Sequence, residues 1–396
     1  MGGGDRPGVV SEEVARDDAG GGVLKVGRVP GFDSIRGFAV LIILVTHVWA
    51  VFPVEPISFE MTEGGFLAVD MFFVLSGFLI TALLVQEHRQ HGRISFRNFY
   101  LRRGLRLIPA LFFFLLLYTL YSAAEDYPPF GRADFTFDSI EAISLYYMNW
   151  RVLWNPLGAA DLTAIWTLSI EEQFYWVWPL ALLGLLWWSA RRGDTVLVWL
   201  LGLAAVAVTL WRVVVFHQWG WEAAYLRTDA RLDGLLWGSL IAALFARRRL
   251  PRQLPRWTPV AVAATWVVLL GWVQADGRSA YYGGITLWVL SAGALIVHLA
   301  NRPDRFSTGP VAVATQRVGR VSYALYLWQL PVLRAVERWT PTWAVGWRVA
   351  ASLVLLAACT VASWFLVERP ALEVKRRLQG RWRAKASFTA TSGLAG

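Results

Sequence analysis

His47 is the residue in this sequence best suited to remove a proton from a hydroxyl group. It lies eleven residues after Arg36 in the apolar run FDSIRGFAVLIILVTHVW. On a helix this separation is about 16 Å, because each residue adds about 1.5 Å. If Arg36 marks one face of a membrane, His47 therefore lies near its middle. An imidazole exchanges protons near neutral pH, so a buried His47 could act as a general base.

Two acidic residues are predicted to reach the same region. Asp70 lies in GFLAVDMFFVLSGFLIT and Glu171 in WTLSIEEQFYWVWPL, two apolar runs that would enter the membrane from the face opposite Arg36. A carboxylate near His47 can fix the imidazole tautomer and stabilise its charged form. The alternatives are structural: a hydrogen-bonded core histidine, and an ion pair between an acid and Arg36 or Arg231.

Three arginines are candidates for binding phosphate groups. Arg103 and Arg106 are three residues apart in FYLRRGLRLIPA, so they share one face of a helix, and Arg36 opens on the same side. The planar guanidinium matches the geometry of a phosphate. The alternative is ordinary flanking charge or contact with anionic lipid, which we prefer for the neighbouring Arg102.

Other polar and small residues in apolar runs are predicted to stabilise helix packing. Gly234 and Gly238 form a small-xxx-small pair in RLDGLLWGSLIA. Tyr323, Tyr326 and Gln329 place polar side-chain ends inside VSYALYLWQLPV, where hydrogen-bonded packing is the default expectation.

The elements that must position these residues are membrane-spanning helices. The 396-residue chain is 56% hydrophobic and 17% charged, with 23 Trp and 22 Phe. A soluble domain averages about 45–50% apolar and about 25% charged residues, so a soluble enzyme is excluded. We predict an all-α polytopic membrane protein with about ten spans, at 37–54, 64–85, 107–124, 166–189, 195–216, 231–246, 258–274, 282–300, 320–336 and 343–366. The apolar segment 139–150 is too short to cross and is predicted to be interfacial or re-entrant.

The charges of the connections predict the orientation. Arginines concentrate in alternate connections, beginning with 86–106, while the other connections are short or acidic. With ten spans, all basic connections fall on one side, which places both termini in the cytoplasm. The net charge of +10 is then mostly a topology signal, and nucleic-acid binding is not expected.

Three segments follow along the chain. Residues 1–30 are predicted to be a disordered cytoplasmic tail without a secretory signal, 31–371 one membrane domain, and 372–396 a basic, loop-like cytoplasmic tail. The lone Cys359 cannot form an intramolecular disulfide, and no spacing predicts a metal site.

The quoted runs, followed by FLVERPALE, resemble in this order the acyltransferase-3 family of integral membrane O-acyltransferases. The resemblance covers about residues 31–372. It implies ten spans with cytoplasmic termini and no bound cofactor. It also implies acyl-CoA as co-substrate and transfer of an acetyl or other short acyl group to a hydroxyl, often of a sugar.

The resemblance also implies roles for individual residues. Arg36, Arg103 and Arg106 would hold CoA phosphates, and Glu171 matches the acidic position of the Glu-x-Gln-Phe-Tyr run. His47 would deprotonate the acceptor hydroxyl or carry the acyl group transiently, and both possibilities stay open. We include Asp70 with His47 and Glu171 as candidate catalytic residues because of their predicted depth.

The sequence departs from the family pattern where many members have histidine. Gln329 and Ala164 occupy two such positions, and Thr167 replaces a common serine. His47 is therefore expected to carry more of the acid–base chemistry. Some relatives have a C-terminal hydrolase-like domain, whereas about 25 residues follow Ala371 here. We expect the membrane domain to complete the transfer itself.

Two other functional classes, a transporter and a structural scaffold, are alternatives to an enzyme. A transporter of a glycosylated or anionic solute could use the same buried charges, but inverted repeats are not evident. A structural scaffold would not explain the polar residues within the membrane. The acceptor stays open between a cell-envelope polysaccharide or glycolipid and a secondary metabolite such as a macrolide, which would mean antibiotic biosynthesis. Acyl length and oligomeric state also stay open.

Overall fold

The computed structural model describes residues 29–53, 63–124, 133–155, 161–193, 195–251, 253–302 and 309–378. Most of the predicted terminal tails, 1–28 and 379–396, lie outside the described residues. Within these ranges the chain is helical and contains no strand. The helices are α1 Pro30–Val51, α2 Ala68–His91, α3 Phe96–Ala124, α4 Ala133–Ser144, α5 Met148–Trp154, α6 Trp166–Arg192, α7 Thr195–Leu226, α8 Thr228–Ala246, α9 Thr258–Trp272, α10 Ile285–Asn301, α11 Pro310–Arg320, α12 Ser322–Trp339 and α13 Val345–Ser363.

Six helical stretches in the described part of the chain are long and apolar enough to cross a membrane. They are Pro30–Val51, Gly64–His91, Phe96–Ala124, Thr195–Leu226, Ala280–Asn301 and Val345–Leu378. The chain is therefore a multi-pass membrane protein, while the number of ten spans and the orientation stay predictions. The segment 139–150 falls in the short helices α4 and α5, which are too short to span a bilayer.

Two predicted helix ends are wrong. The helix predicted to end at 216 continues as α7 to Leu226 through Gly220, whose φ of 85° is accessible to glycine without strain. The predicted loop after Ala371 is helical as far as Leu378, because the turn Trp364–Glu368 continues α13 without a break.

Helix α2 is the most buried of the candidate spans and packs extensively against α8. A Cβ atom at Gly77 would lie 2.0 Å from the Leu235 carbonyl oxygen, and one at Gly238 would lie 2.1 Å from the Val74 oxygen. Only glycine permits this approach of the two backbones. The predicted packing role of Gly238 is confirmed, and α2 is held at a fixed position beside the site.

The beginning of α1 is fixed in a similar way by the short helix α11. A Cβ atom at Gly37 would lie 2.0 Å from the Thr315 oxygen, and one at Gly319 would lie 1.8 Å from the Asp33 oxygen. This contact sets the position of Arg36, the residue next to Gly37.

Candidate active site

A cavity of about 170 Å³ lies between α1, α2, α3, α6 and α12, and we call it the arginine cavity. Its polar lining residues are Arg36, Ser76, Arg103, Arg106, Glu171 and Tyr323, with Thr167, Ser322 and Tyr326. The three arginines predicted to act together therefore line one cavity. Arg36 comes from α1, and Arg103 and Arg106 come from α3.

Arg103 is the most strongly engaged of these arginines. Its guanidinium lies 3.5 Å from Glu172 Oε1, 3.9 Å from Glu171 Oε2 and 3.5 Å from the centre of the Tyr175 ring. The Ser76 hydroxyl donates a 3.0 Å hydrogen bond to Glu171 Oε1. Arg103 thus joins α3 to α6, and the two carboxylates compensate its charge.

Arg106 differs from the other two arginines in having an exposed side chain. Arg36 contacts Asp33 Oδ1 at 3.2 Å, whereas Arg106 forms no ion pair with a residue that the structure describes. Its charge is the one most available to an anionic ligand entering the arginine cavity.

A second cavity of about 170 Å³ lies beside the first, and we call it the histidine cavity. It is lined by Thr46, His47, Gly65, Thr163, Ala164 and Tyr225 together with apolar residues. A Cβ atom at Gly65 would lie 1.8 Å from Thr46 Oγ1, so the turn Glu63–Leu67 approaches α1 as closely as glycine allows.

His47 and Gln329 have hydrogen-bonding atoms that are buried without a partner in the described part of the chain. The Nδ1 atom of His47 is buried without a hydrogen bond to any described residue. Gln329 interacts with the imidazole, yet the amide is fully buried and neither of its polar atoms has a well-formed hydrogen bond in the described part of the chain. Buried polar groups are normally satisfied, and unpaired ones mark functional sites or bound molecules. Gln329 departs from the predicted packing role in this respect.

The tyrosines of α12 follow the prediction. Tyr323 donates to the Leu107 oxygen at 3.2 Å. Tyr326 donates to the Ala164 oxygen and lies 2.7 Å from Thr167 Oγ1. Gln329 and Ala164 occupy positions where many family members have histidine. Ala164 lines the histidine cavity, and Gln329 lies next to His47. Among the described residues, His47 is the imidazole that lines this cavity.

Asp70 does not meet His47 as predicted. Arg231 donates to both carboxylate oxygens of Asp70, at 2.8 and 2.9 Å, and both side chains are fully buried. Asp70 is absent from the described linings of the two cavities. The preceding residue, Val69, lines both of them, and one helical step of about 100° turns Asp70 towards α8. The contacts favour the structural ion pair over proton transfer.

Glu171 and His47 line different cavities. Glu171 lines the arginine cavity, whereas Ala164 at the beginning of the same helical segment lines the histidine cavity. His47, Asp70 and Glu171 therefore do not line one cavity in the part of the chain that the structure describes.

The sequence did not predict the position of Tyr225 or the hydrogen-bond partners of Gln173. Tyr225, at the end of α7, lines the histidine cavity, and no spacing in its run signalled this. Gln173 Nε2 donates to the Tyr146 oxygen at 2.6 Å and to Asn149 Oδ1 at 3.2 Å, and its Oε1 accepts from Thr228 at 2.5 Å. In the Glu-x-Gln run, Glu171 therefore lines the arginine cavity, whereas Gln173 anchors α5.

Comparison with known proteins identifies the family. The family profile described as an acyltransferase domain, that of the acyltransferase-3 family, matches residues 29–368. The peptidoglycan O-acetyltransferase OatA of Listeria monocytogenes is 27% identical over 320 residues, which are 77% of this chain and 49% of that protein. The O-acetyltransferase OatA of Staphylococcus aureus is 30% identical over 325 residues, 77% of this chain and 50% of that protein.

A putative peptidoglycan O-acetyltransferase of Bacillus subtilis, YrhL, is 28% identical over 365 residues, 86% of this chain and 54% of that protein. The chain thus spans about half the length of these curated relatives. No solved structure matches it. The match over residues 29–368 covers most of the sequence, and the chain belongs to the acyltransferase-3 family.

Proposed function

We propose that this protein is a membrane O-acetyltransferase that moves an acetyl group from acetyl-CoA to a hydroxyl group of a cell-envelope glycan. The observation that carries the proposal is the adjacency of the two cavities. One is lined by three arginines and the other by His47, and they share Ile43, Val69 and Tyr326 as lining residues.

The arginine cavity suits the phosphate-bearing part of CoA. Arg106 is exposed and unpaired among the described residues, and Arg36 carries a single acidic contact. These two arginines are proposed to bind phosphate oxygens directly. Arg103 contributes in another way, because its contacts with Glu171 and Glu172 hold α3 against α6 and maintain the cavity.

The histidine cavity suits the reaction of the thioester. The acceptor hydroxyl oxygen attacks the carbonyl carbon, a C–O bond forms and the C–S bond breaks. The hydroxyl proton passes to His47 and then to the CoA sulfur, which leaves as a thiol. In the alternative route a ring nitrogen of His47 attacks the carbonyl carbon, an N–C bond forms and the C–S bond breaks, so that CoA leaves as a thiolate. The acceptor oxygen then displaces the imidazole from the acetyl group, and the hydroxyl proton passes to the thiolate. Both routes require the imidazole at the junction of the cavities.

A glycan acceptor is favoured by the relatives. Two of them are named as peptidoglycan O-acetyltransferases, one putatively. Peptidoglycan is a polymer of N-acetylated sugars outside the cytoplasm, which fits an acceptor that reaches His47 from the end of the bundle opposite the arginines. A macrolide-like acceptor has no comparable support.

The proposal is tested with the full chain in detergent micelles, using acetyl-CoA labelled with ¹⁴C in the acetyl group and a tetrasaccharide of N-acetylglucosamine. We expect label on the sugar and free CoA in equal amounts. His47→Gln should lower the rate at least about 100-fold, the scale of general base catalysis. His217→Gln is the matched control, because His217 is exposed and lines neither described cavity.

The transporter alternative predicts a different result. A transporter would take up labelled tetrasaccharide into vesicles without acetyl-CoA and leave it unmodified. Uptake without acetyl transfer would contradict the proposed function.

A further inference from the structure

We propose that Ile43, Val69 and Tyr326 select the length of the acyl group that the protein transfers. We call these three residues the partition. The inference rests on the proposed function, since it names the donor substrates that the same site accepts.

The partition lies where the two cavities meet. Its members come from α1, α2 and α12 and are the residues common to both linings. All three side chains are buried. If the phosphates of acetyl-CoA lie against Arg36 and Arg106, the rest of the molecule must extend past the partition to bring the thioester carbonyl group to His47.

Tyr326 is the fixed member of the partition. Its hydroxyl group contacts Ala164, which lines the histidine cavity, and Thr167, which lines the arginine cavity. The ring is therefore held from both sides, and the space between it and the aliphatic side chains of Ile43 and Val69 is defined by packing rather than by mobile groups.

The size of the histidine cavity sets the limit on its contents. Its volume is about 170 Å³. An engineered protein cavity of about 150 Å³ holds a benzene molecule, so this space accommodates roughly six heavy atoms. An acetyl group and the carbon and oxygen of an acceptor hydroxyl fit within that number. Each additional methylene group of a longer acyl chain competes with the acceptor or presses on the partition.

The chemistry does not change with acyl length. In every case the acceptor oxygen forms a bond to the carbonyl carbon, the bond from carbon to sulfur breaks, and the hydroxyl proton ends on the CoA thiol. Selection arises from steric exclusion, because a hydrophobic site discriminates against an extra methylene group by about 10- to 200-fold.

The experiment compares acetyl-CoA with butyryl-CoA for the full chain in the tetrasaccharide assay. Ile43→Ala and Val69→Ala remove carbon atoms from the partition and should each raise the ratio of butyryl to acetyl transfer at least about tenfold. Tyr326→Phe removes the hydroxyl that holds the ring and should raise the same ratio by a smaller factor.

Val262→Ala is the matched control for Val69→Ala. The two valines are similarly buried, at 5% and 6% exposure, and Val262 in α9 lines neither described cavity. Its ratio should equal that of the unsubstituted protein. A ratio within about twofold of the unsubstituted value in both partition variants would overturn the proposal, because even one methylene group is worth more than that.

Misfolding of the variants and failure of the proposed function would give different results. If the alanine variants do not fold, Val69→Ile, which adds one carbon atom, should lower the ratio of propionyl to acetyl transfer; an unchanged ratio would overturn the partition. If the unsubstituted protein releases no CoA and labels no sugar, the proposed function fails and the selection falls with it.

Discussion

The imidazole of His47 and the amide of Gln329 lie together, and their hydrogen-bonding groups are incompletely used within the described part of the chain. An unsatisfied buried amide costs about 1–3 kcal/mol, so its presence is better explained by function than by stability. We interpret Gln329 as a residue that orients His47, the task that a carboxylate performs in other catalytic histidine sites.

Gln329→Leu should therefore separate stability from activity. Leucine has a similar volume and no polar atom, so the melting temperature in detergent should stay the same or rise. Acetyl transfer should fall at least about tenfold, because the imidazole loses its orienting partner. Gln173→Leu is the matched control, since that amide makes three hydrogen bonds and its loss should lower the melting temperature. A large drop in the melting temperature of Gln329→Leu would contradict this interpretation.

Arg106 and Arg103 should respond differently to the same substitution. Arg106→Ala removes an unpaired charge and should raise KM for acetyl-CoA about tenfold. The reason is that one charge-assisted hydrogen bond contributes about 1.5–3 kcal/mol to binding. Arg103→Ala leaves Glu171 and Glu172 uncompensated and should also lower the melting temperature.

Arg102→Ala is the control for both arginines, because Arg102 contacts Glu87 at 3.3 Å and lines neither described cavity. Such a partly exposed pair contributes about 1 kcal/mol or less. Measurement of KM and of the melting temperature for the three variants decides the assignment. An unchanged KM in Arg106→Ala would refute phosphate binding by that residue.

At the level of the helices, a buried network of charges joins α2, α7, α8 and α10. Asp70 pairs with Arg231, Arg212 pairs with Asp233, and Arg212 also donates to Thr286 at 2.8 Å. All four charged side chains are fully buried. Removing one member leaves a buried charge without a partner, whereas removing a complete pair does not.

Asp70→Leu should accordingly destabilise the protein by about 3–5 kcal/mol, and the double variant Asp70→Leu with Arg231→Met should recover most of that loss. Unfolding in detergent followed by circular dichroism measures the stability. The double variant should keep acetyl transfer, because Asp70 lines neither described cavity. Restored stability without transfer would return Asp70 to the catalytic residues.

The helices and the arginine cavity were predictable, but the partners of the acids were not. Apolar length predicts which segments form spans. Arg36 of α1 and the arginines of α3 are predicted to lie at the same face of the membrane, so their meeting in one cavity could be expected. A predicted depth, however, gives the position of a residue along the helix axis but not the direction in which its side chain points around that axis. Asp70 and Val69 have nearly the same depth and face different neighbours. The contacts of Gln329 depend on packing between α1 and α12, which no local pattern encodes.

For the whole molecule, the predicted orientation makes opposite ends accessible from opposite sides. In a Cys359→Ser background, Arg93→Cys in the exposed connection after α2 should react with an impermeant maleimide only from the cytoplasmic side. Trp343→Cys, in the exposed connection before α13, should react only from outside. Labelling of the first position from outside would invert the orientation and place the arginine cavity on the wrong side for CoA.

His47 is proposed to link a donor on one side of the membrane to an acceptor on the other. The decisive measurement uses vesicles that contain the protein, with acetyl-CoA sealed inside and the tetrasaccharide outside. We predict acetylated tetrasaccharide in the external solution with the unsubstituted protein and almost none with His47→Gln. Equal acetylation by both proteins, or none by a folded unsubstituted protein, would contradict this role of His47.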